Sequence, residues 1–150
     1  MRCILSTYCL VLSLCSHSGF AQHILFYNVE NLFDTLHDRG KNDLDFTPTG
    51  AYGYGSPTYF LKIRQTARAL RSAMNTTDHT IDIIAVAEVE NRSVLLDLAK
   101  HKAIKNFGPW QIVHFDSPDH RGIDCAALIN LSTSRVIRSE PITYSPPHHK

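Results

Sequence analysis

Two short segments carry the side chains best suited to chemistry. They are Tyr27-Asn28-Val29-Glu30-Asn31-Leu32-Phe33-Asp34 and Ala87-Glu88-Val89-Glu90-Asn91. Each follows directly on an apolar run that reads as a strand, and each is dense in carboxylate and amide oxygens. Hard divalent cations such as Mg²⁺ prefer oxygen ligands, and carboxylates, waters and substrate phosphate usually hold them together. Asn28, Glu30 and Glu88 are of the right chemical type to share such a cation. A cation so placed polarises a phosphoryl oxygen, stabilises a leaving oxygen and orients an attacking water. The same residues also have ordinary structural uses. Asn28 can cap the turn after its strand, and Glu90 or Asn91 can start the next helix. Composition and spacing by themselves leave both uses open.

The elements that must position these residues are readable from periodicity. Residues 23–29 form a short apolar, β-prone run, which predicts a buried strand. Residues 34–55 are polar and turn-rich, with Gly40, Pro48, Gly50, Gly53 and Gly55, and predict a long loop of the functional or mobile kind. Ser56-Pro57 is a helix start, a capping hydroxyl followed by proline at the first helical position. Phe60, Ile63, Ala67, Leu70 and Met74 then recur at helical spacing and predict the buried face. Lys62, Arg64, Arg68 and Arg71 fall off that stripe and read as a solvated face.

Residues 81–89 are almost continuously apolar, as in a strand covered on both faces. A second helix is expected from Asn91 to Ile104, with Val94, Leu95, Leu98 and Ala99 inward. Strands are expected at 110–115 and 123–131, with a charged turn between them at 117–122, and a fifth strand at 135–142. The order β-α-β-α-β-β-β implies an α/β (α+β) domain with a mixed sheet and outer helices. Both oxygen-rich segments would then lie at the carboxyl ends of strands, where open α/β sheets bind ligands.

Length and charge narrow the class less than the motifs do. The 150 residues suit one domain, and the formal net charge is +1 with acids and bases interspersed. No long basic or acidic run marks a polyanion-binding or solvating tail. Nine histidines are scattered, with no zinc-type spacing to cysteine. Residues 1–21 read as a signal peptide: Arg2, an apolar stretch at 4–14, then Gly19 and Ala21 as the small residues before cleavage. That stretch is shorter than the ~20 residues a bilayer crossing requires. Export to a periplasmic or secreted location is therefore expected. Cys3, Cys9 and Cys15 fall inside this leader, and Leu14 before Cys15 argues against a lipid-attachment site. Cys125 is then the single mature cysteine, reading as a small core hydrophobe, and no disulfide is expected.

The segment Tyr27-Asn28-Val29-Glu30-Asn31-Leu32 resembles the first motif of the endonuclease/exonuclease/phosphatase superfamily. That superfamily includes abasic-site endonucleases, pancreatic-type deoxyribonucleases, neutral sphingomyelinases and inositol polyphosphate 5-phosphatases. Asp82-Ile83-Ile84-Ala85-Val86-Ala87-Glu88-Val89 is similar to its second motif. Asp116-Ser117-Pro118-Asp119-His120-Arg121-Gly122-Ile123-Asp124, followed by Cys125-Ala126-Ala127-Leu128, resembles its Gly-x-Ala-hydrophobic strand in the version found in exported bacterial members. The resemblance runs from Ile24 to about Leu131.

It implies half of a four-layer α/β/β/α sandwich and a Mg²⁺- or Mn²⁺-dependent phosphoester hydrolase, with nucleic acid among the candidate substrates. Glu88 would ligate the metal, Asn28 would lie beside the metal and the scissile phosphate, and Glu30 would be a second acidic ligand. Arg121 and His120 would be placed to touch phosphate from their turn, although a solvated turn is the plainer reading of both. Two positions depart from the pattern. Ala87 stands where many members have Gln, and Ile123 where abasic-site endonucleases tend to have an aromatic, so a DNA-repair specificity is not supported. The family's later Gly-Asp-x-Asn and Ser-Asp-His motifs do not occur, and Asp78-His79 and Asp119-His120 come too early to replace them. Residues 22–150 are accordingly expected to be the N-terminal part of a domain, inactive alone and missing its C-terminal half. A non-catalytic remnant and an exported binding module are the competing readings.

Overall fold

The computed structural model describes residues 21–142. The expected signal peptide, apart from Ala21, lies outside the described residues. Four strands form one mixed sheet: β1 (Ile24–Leu32), β2 (Ile83–Val89), β3 (Trp110–His114) and β4 (Asp124–Asn130), in the order β1-β2-β4-β3. The β1–β2 pair is parallel, and β4 runs antiparallel to both β2 and β3. The parallel pair needs a crossover, and α1 (Ser56–Met74) supplies it. A shorter helix, α2 (Arg92–Lys100), links β2 to β3.

Both helices share one core with the sheet. Ile84 and Val86 of β2, Leu128 of β4 and Ile112 of β3 pack with Ile63, Ala67 and Leu70 of α1 and Val94, Leu95 and Leu98 of α2. Burying one such Leu or Ile side chain stabilises the fold by roughly 1.5–3 kcal/mol. The inner stripe of α1 begins at Tyr59; the expected Phe60 is 59 % exposed instead. Tyr59 wins the inner place because its ring is buried while its hydroxyl donates to Asp97 Oδ2 of α2 at 2.7 Å. The helix is capped by Gly55, one residue before the expected Ser56, and Ser56 makes no side-chain cap bond. In α2, Asn91 Oδ1 accepts from Val94 N at 3.1 Å, a working N-cap. This helix stops at Lys100 and does not reach Ile104. His101 turns extended and its Nδ1 accepts from Ala103 N, a local bond that competes with the helix.

The opposite face of the sheet is partly open, as half of a sandwich implies, although the strands on it differ from their individual readings. Ile24 and Phe26 of β1 are exposed, so β1 is not buried along its length, while Ile83, Ala85 and Ala87 of β2 are half-buried. Cys125 is also exposed and is not a core residue. Asp124 and Ala126 point to the helix side, so the period of two sends Cys125 the other way. Residues 135–142 form no strand, and Ile137 and Ile142 are each 89 % exposed. Part of this segment lies over the open face, lining a shallow groove with Ile83, Val113, Ala127 and Ile129. The loop of residues 34–55 is anchored to the core. It contains a short 3-10 turn at Leu44–Phe46, and Phe46 stacks on Phe33 with ring centroids 4.0 Å apart. Among the described residues, no helix is long and apolar enough to cross a membrane.

Candidate metal centre at the carboxyl ends of β1 and β2

Sheet alternation alone would misplace Glu88. Ile84 and Val86 face the helices, so the next inward place along β2 falls to residue 88. Instead the pairing with β4 slips: Ala87 opposes Cys125, while Val89 opposes Asp124. One extra residue, Glu88, is accommodated with a left-handed φ of 65°. Val89 takes the buried place and Glu88 is turned aside. The β1–β2 register slips as well, with Asn28 opposite Ala87 but Leu32 opposite Val89. Glu30 and Asn31 occupy that bulge, at φ 55° and 61°. These are the three non-glycine residues with positive φ among the described residues. Left-handed backbone costs a residue with a Cβ roughly 1–2 kcal/mol, and bulges of this kind re-aim side chains beside functional sites.

The bulges bring the expected residues together. Asn28 Nδ2 donates to Glu88 Oε1 at 3.0 Å, and the Asn31 N–H donates to Glu88 Oε2 at 3.1 Å. Asn28 Oδ1 accepts from the Glu30 N–H at 2.7 Å. Asn28 thus closes the bulge within β1 and holds the Glu88 carboxylate. Glu30 is exposed beside this group.

Lys62 was expected on a solvated face, yet it reaches the centre. Its Nζ donates to the Glu30 carbonyl. Burial lowers its pKa, and the nearby Glu30 and Glu88 charges oppose that shift. No local signal marks this lysine, because its role depends on how α1 crosses the end of β1. Arg64, Arg68 and Arg71 point elsewhere, lining a basic groove with His101 and Lys102.

Arg121 comes near through its turn. The buried Asp124 accepts from Ser117 N at 2.7 Å and pairs with His114 Nε2 at 2.9 Å, which pins the loop between β3 and β4. Arg121 pairs with Asp119 at 3.1 Å, and its guanidinium pKa is raised by that bond and, further down, by the Glu88 charge. His120 contributes its carbonyl, which accepts from Asn42 N at 2.8 Å. No side-chain hydrogen bond joins His120 to the centre among the described residues.

A second group of carboxylates, which sequence reasoning missed, lies alongside. Asp38, Asp43 and Glu90 bring carboxylate oxygens within 4.8 Å of one another. Glu90 is buried, and its carboxyl is pushed up to about 8 by desolvation first and then by the charges of Asp34, Asp38 and Asp43. The available signal was the density of Asp in residues 34–45 together with a Glu just before the second helix.

Residues 23–149 match the Endonuclease/Exonuclease/phosphatase family, a span that includes both oxygen-rich segments and the turn bearing Arg121. No curated protein and no solved structure matches the chain.

Proposed function

The chain belongs to the endonuclease/exonuclease/phosphatase family, and from that premise we propose that it serves divalent-metal-dependent hydrolysis of phosphoesters, with Glu88 as the principal metal ligand. The observation that carries this reading is the left-handed backbone at Glu30, Asn31 and Glu88, strained at the two glutamates, which sets the Glu88 carboxylate between Asn28 and Asn31. Backbone strain of this sort persists only where the surroundings over-determine it, and it clusters at functional sites.

The donor set fits a hard cation. Carboxylate oxygens from Glu88 and Glu30 and the amide oxygen of Asn28 are oxygen ligands of the kind Mg²⁺ or Mn²⁺ takes. When bound, such an ion supplies positive charge to phosphoryl oxygens. The protein's own part is positioning. Asn28 and the Asn31 N–H fix the orientation of Glu88, and Lys62 ties α1 to the bulge through the Glu30 carbonyl. Arg121 offers a cation on the exposed side, where it can meet a phosphate of the substrate.

The 150 residues contain neither Gly-Asp-x-Asn nor Ser-Asp-His. The proposal assigns these residues the metal-holding part of the reaction. The competing reading is a metal- or phosphate-binding remnant without turnover. Export through residues 1–21 belongs to the same proposal, and so does a four-layer sandwich in which a second sheet covers Ile24, Phe26 and Cys125. Nucleic acid is one candidate among the phosphoester substrates.

The test is a Mn²⁺ titration of the full chain against Glu88→Gln, paired with hydrolysis of bis(4-nitrophenyl) phosphate with Mg²⁺ and with chelator. Glu88→Gln should weaken one Mn²⁺ site by at least about tenfold, the scale seen when groups around a metal are altered. Unchanged Mn²⁺ binding in Glu88→Gln would sink the reading. Metal-dependent hydrolysis by the wild-type chain would exclude the remnant, and binding without hydrolysis would support it.

A further inference from the structure

We propose that Asp38, Asp43 and Glu90 hold a second divalent cation of the calcium type, separate from the centre at Glu88. Their carboxylate oxygens converge within 4.8 Å. Asp34 adds a fourth carboxylate, since Asn91 Nδ2 donates to both Asp34 Oδ2 and Glu90 Oε2, at 3.0 and 3.3 Å. Among the described residues, the one basic side chain paired with any of the four is His37, on Asp43. Acidic groups gathered this closely offer a ready set of oxygen ligands to a cation.

Two unpartnered buried atoms point to the same place. Glu90 is 4 % exposed, and while its Oε2 accepts from Asp34 N at 2.6 Å, its Oε1 has no partner. Tyr54, 6 % exposed beside Glu90 and Asp34, likewise leaves its hydroxyl unpartnered. Buried polar atoms are normally hydrogen-bonded, and an exception calls for an explanation such as an ion or a water. A cation accounts for the orphaned carboxyl oxygen and for the convergence of acidic side chains together; a water accounts for the first alone.

Calcium suits the donors better than magnesium. Two of the carboxylates come from an irregular loop and one from the end of a strand. Ca²⁺ accepts six to eight oxygens in flexible geometry, whereas Mg²⁺ demands a near-ideal octahedron.

The position gives the ion a role. Residues 38–43 also hold the turn that carries Arg121: Asn42 N donates to the His120 carbonyl at 2.8 Å, and Lys41 Nζ to the Asp119 carbonyl at 3.1 Å. A cation joining Asp38 and Asp43 to Glu90 would fix this loop against the end of β2, two residues from Glu88. It would thereby hold the Arg121 turn in place.

The experiment uses the full chain stripped of metal, with Tb³⁺ as the probe and tyrosine excitation to sensitise it. Wild type should give a saturable luminescence that Ca²⁺ displaces, and Ca²⁺ alone should raise the melting temperature. Asp43→Asn and Glu90→Gln should weaken Tb³⁺ binding at least about tenfold. Asp38→Asn, at an exposed residue that the core does not need, should weaken it too while leaving the circular dichroism unchanged. Glu88→Gln should leave this signal intact, which separates the site from the centre proposed for hydrolysis. The inference is overturned if wild type shows no Ca²⁺-displaceable luminescence, if Asp38→Asn and Asp43→Asn bind like wild type, or if Glu88→Gln removes the signal.

Discussion

Replacing Glu30 by glycine should make the protein more stable and worse at holding metal. Glu30 sits at φ 55°, where a residue with a Cβ is strained. Its carboxylate makes no hydrogen bond among the described residues, and its N–H and carbonyl bonds, to Asn28 and Lys62, survive the change to glycine. Relief of the left-handed strain contributes roughly 1–2 kcal/mol. Glycine gives back roughly 0.5–1 kcal/mol through the greater freedom of the unfolded chain. The net gain is about 0.5–1 kcal/mol, or a rise of about 1–4 °C in Tm for a domain of this size. Asn31→Gly, at φ 61°, is the control: asparagine tolerates this conformation, so its gain should be close to nil. Urea unfolding in chelator, followed through Trp110, gives the stabilities, and a parallel Mn²⁺ titration gives the affinities. If Glu30→Gly lowers stability, or raises it without weakening Mn²⁺ binding, then the strain is not held there for a ligand and the reasoning fails.

Other outcomes follow from the same structure. Tyr59→Phe removes the bond from α1 to Asp97 of α2 and should cost roughly 1.5–3 kcal/mol in urea unfolding, the range for a hydrogen bond to a charged group. Leu98→Ala, at a fully buried side chain, should cost about 2–5 kcal/mol in the same assay. In chelator, the Glu90 carboxyl, raised by burial and then by its acidic neighbours from the ordinary 4.5 to about 8, should shape the pH profile. The folded state keeps a proton that the unfolded chain releases, so this contribution is fully present below about pH 4.5 and is lost as pH rises to about 8. Thermal melts across that window should show a fall on the order of a few kcal/mol, and Glu90→Gln should flatten it.

The two helices and four of the five expected strands were legible because apolar spacing encodes them locally. Ile63, Ala67, Leu70 and Met74 recur on one face of a helix wherever that helix lies. Choices set by distant partners were not legible. Tyr59 and Phe60 are adjacent aromatics, and the inner place goes to the one whose hydroxyl meets Asp97, 38 residues away. Cys125 sits in an apolar run that reads as core, yet its direction follows from Asp124, which faces inward to pair with His114. The Asp38–Asp43–Glu90 group was invisible because a loop and a strand end meet only in the folded chain.

The candidate centre shows where local reading stops. Its residue types could be read from the two segments, but the conformation that makes them useful could not. In the run Ile-Ile-Ala-Val-Ala-Glu-Val, strict alternation would drive the Glu88 carboxylate into the helix-facing core. An unpaired charge there costs far more than the roughly 1–2 kcal/mol of one left-handed residue. The bulge is the cheaper arrangement, and it can form because β4 pairs past Glu88, placing Asp124 opposite Val89. The same slip that hands the core to Val89 turns Glu88 toward Asn28 at the carboxyl end of β2. Strain and site have one origin here. A substitution in β4 that restored even pairing with β2 should therefore abolish Mn²⁺ binding at the Glu88 centre without touching any of the ligands proposed for it.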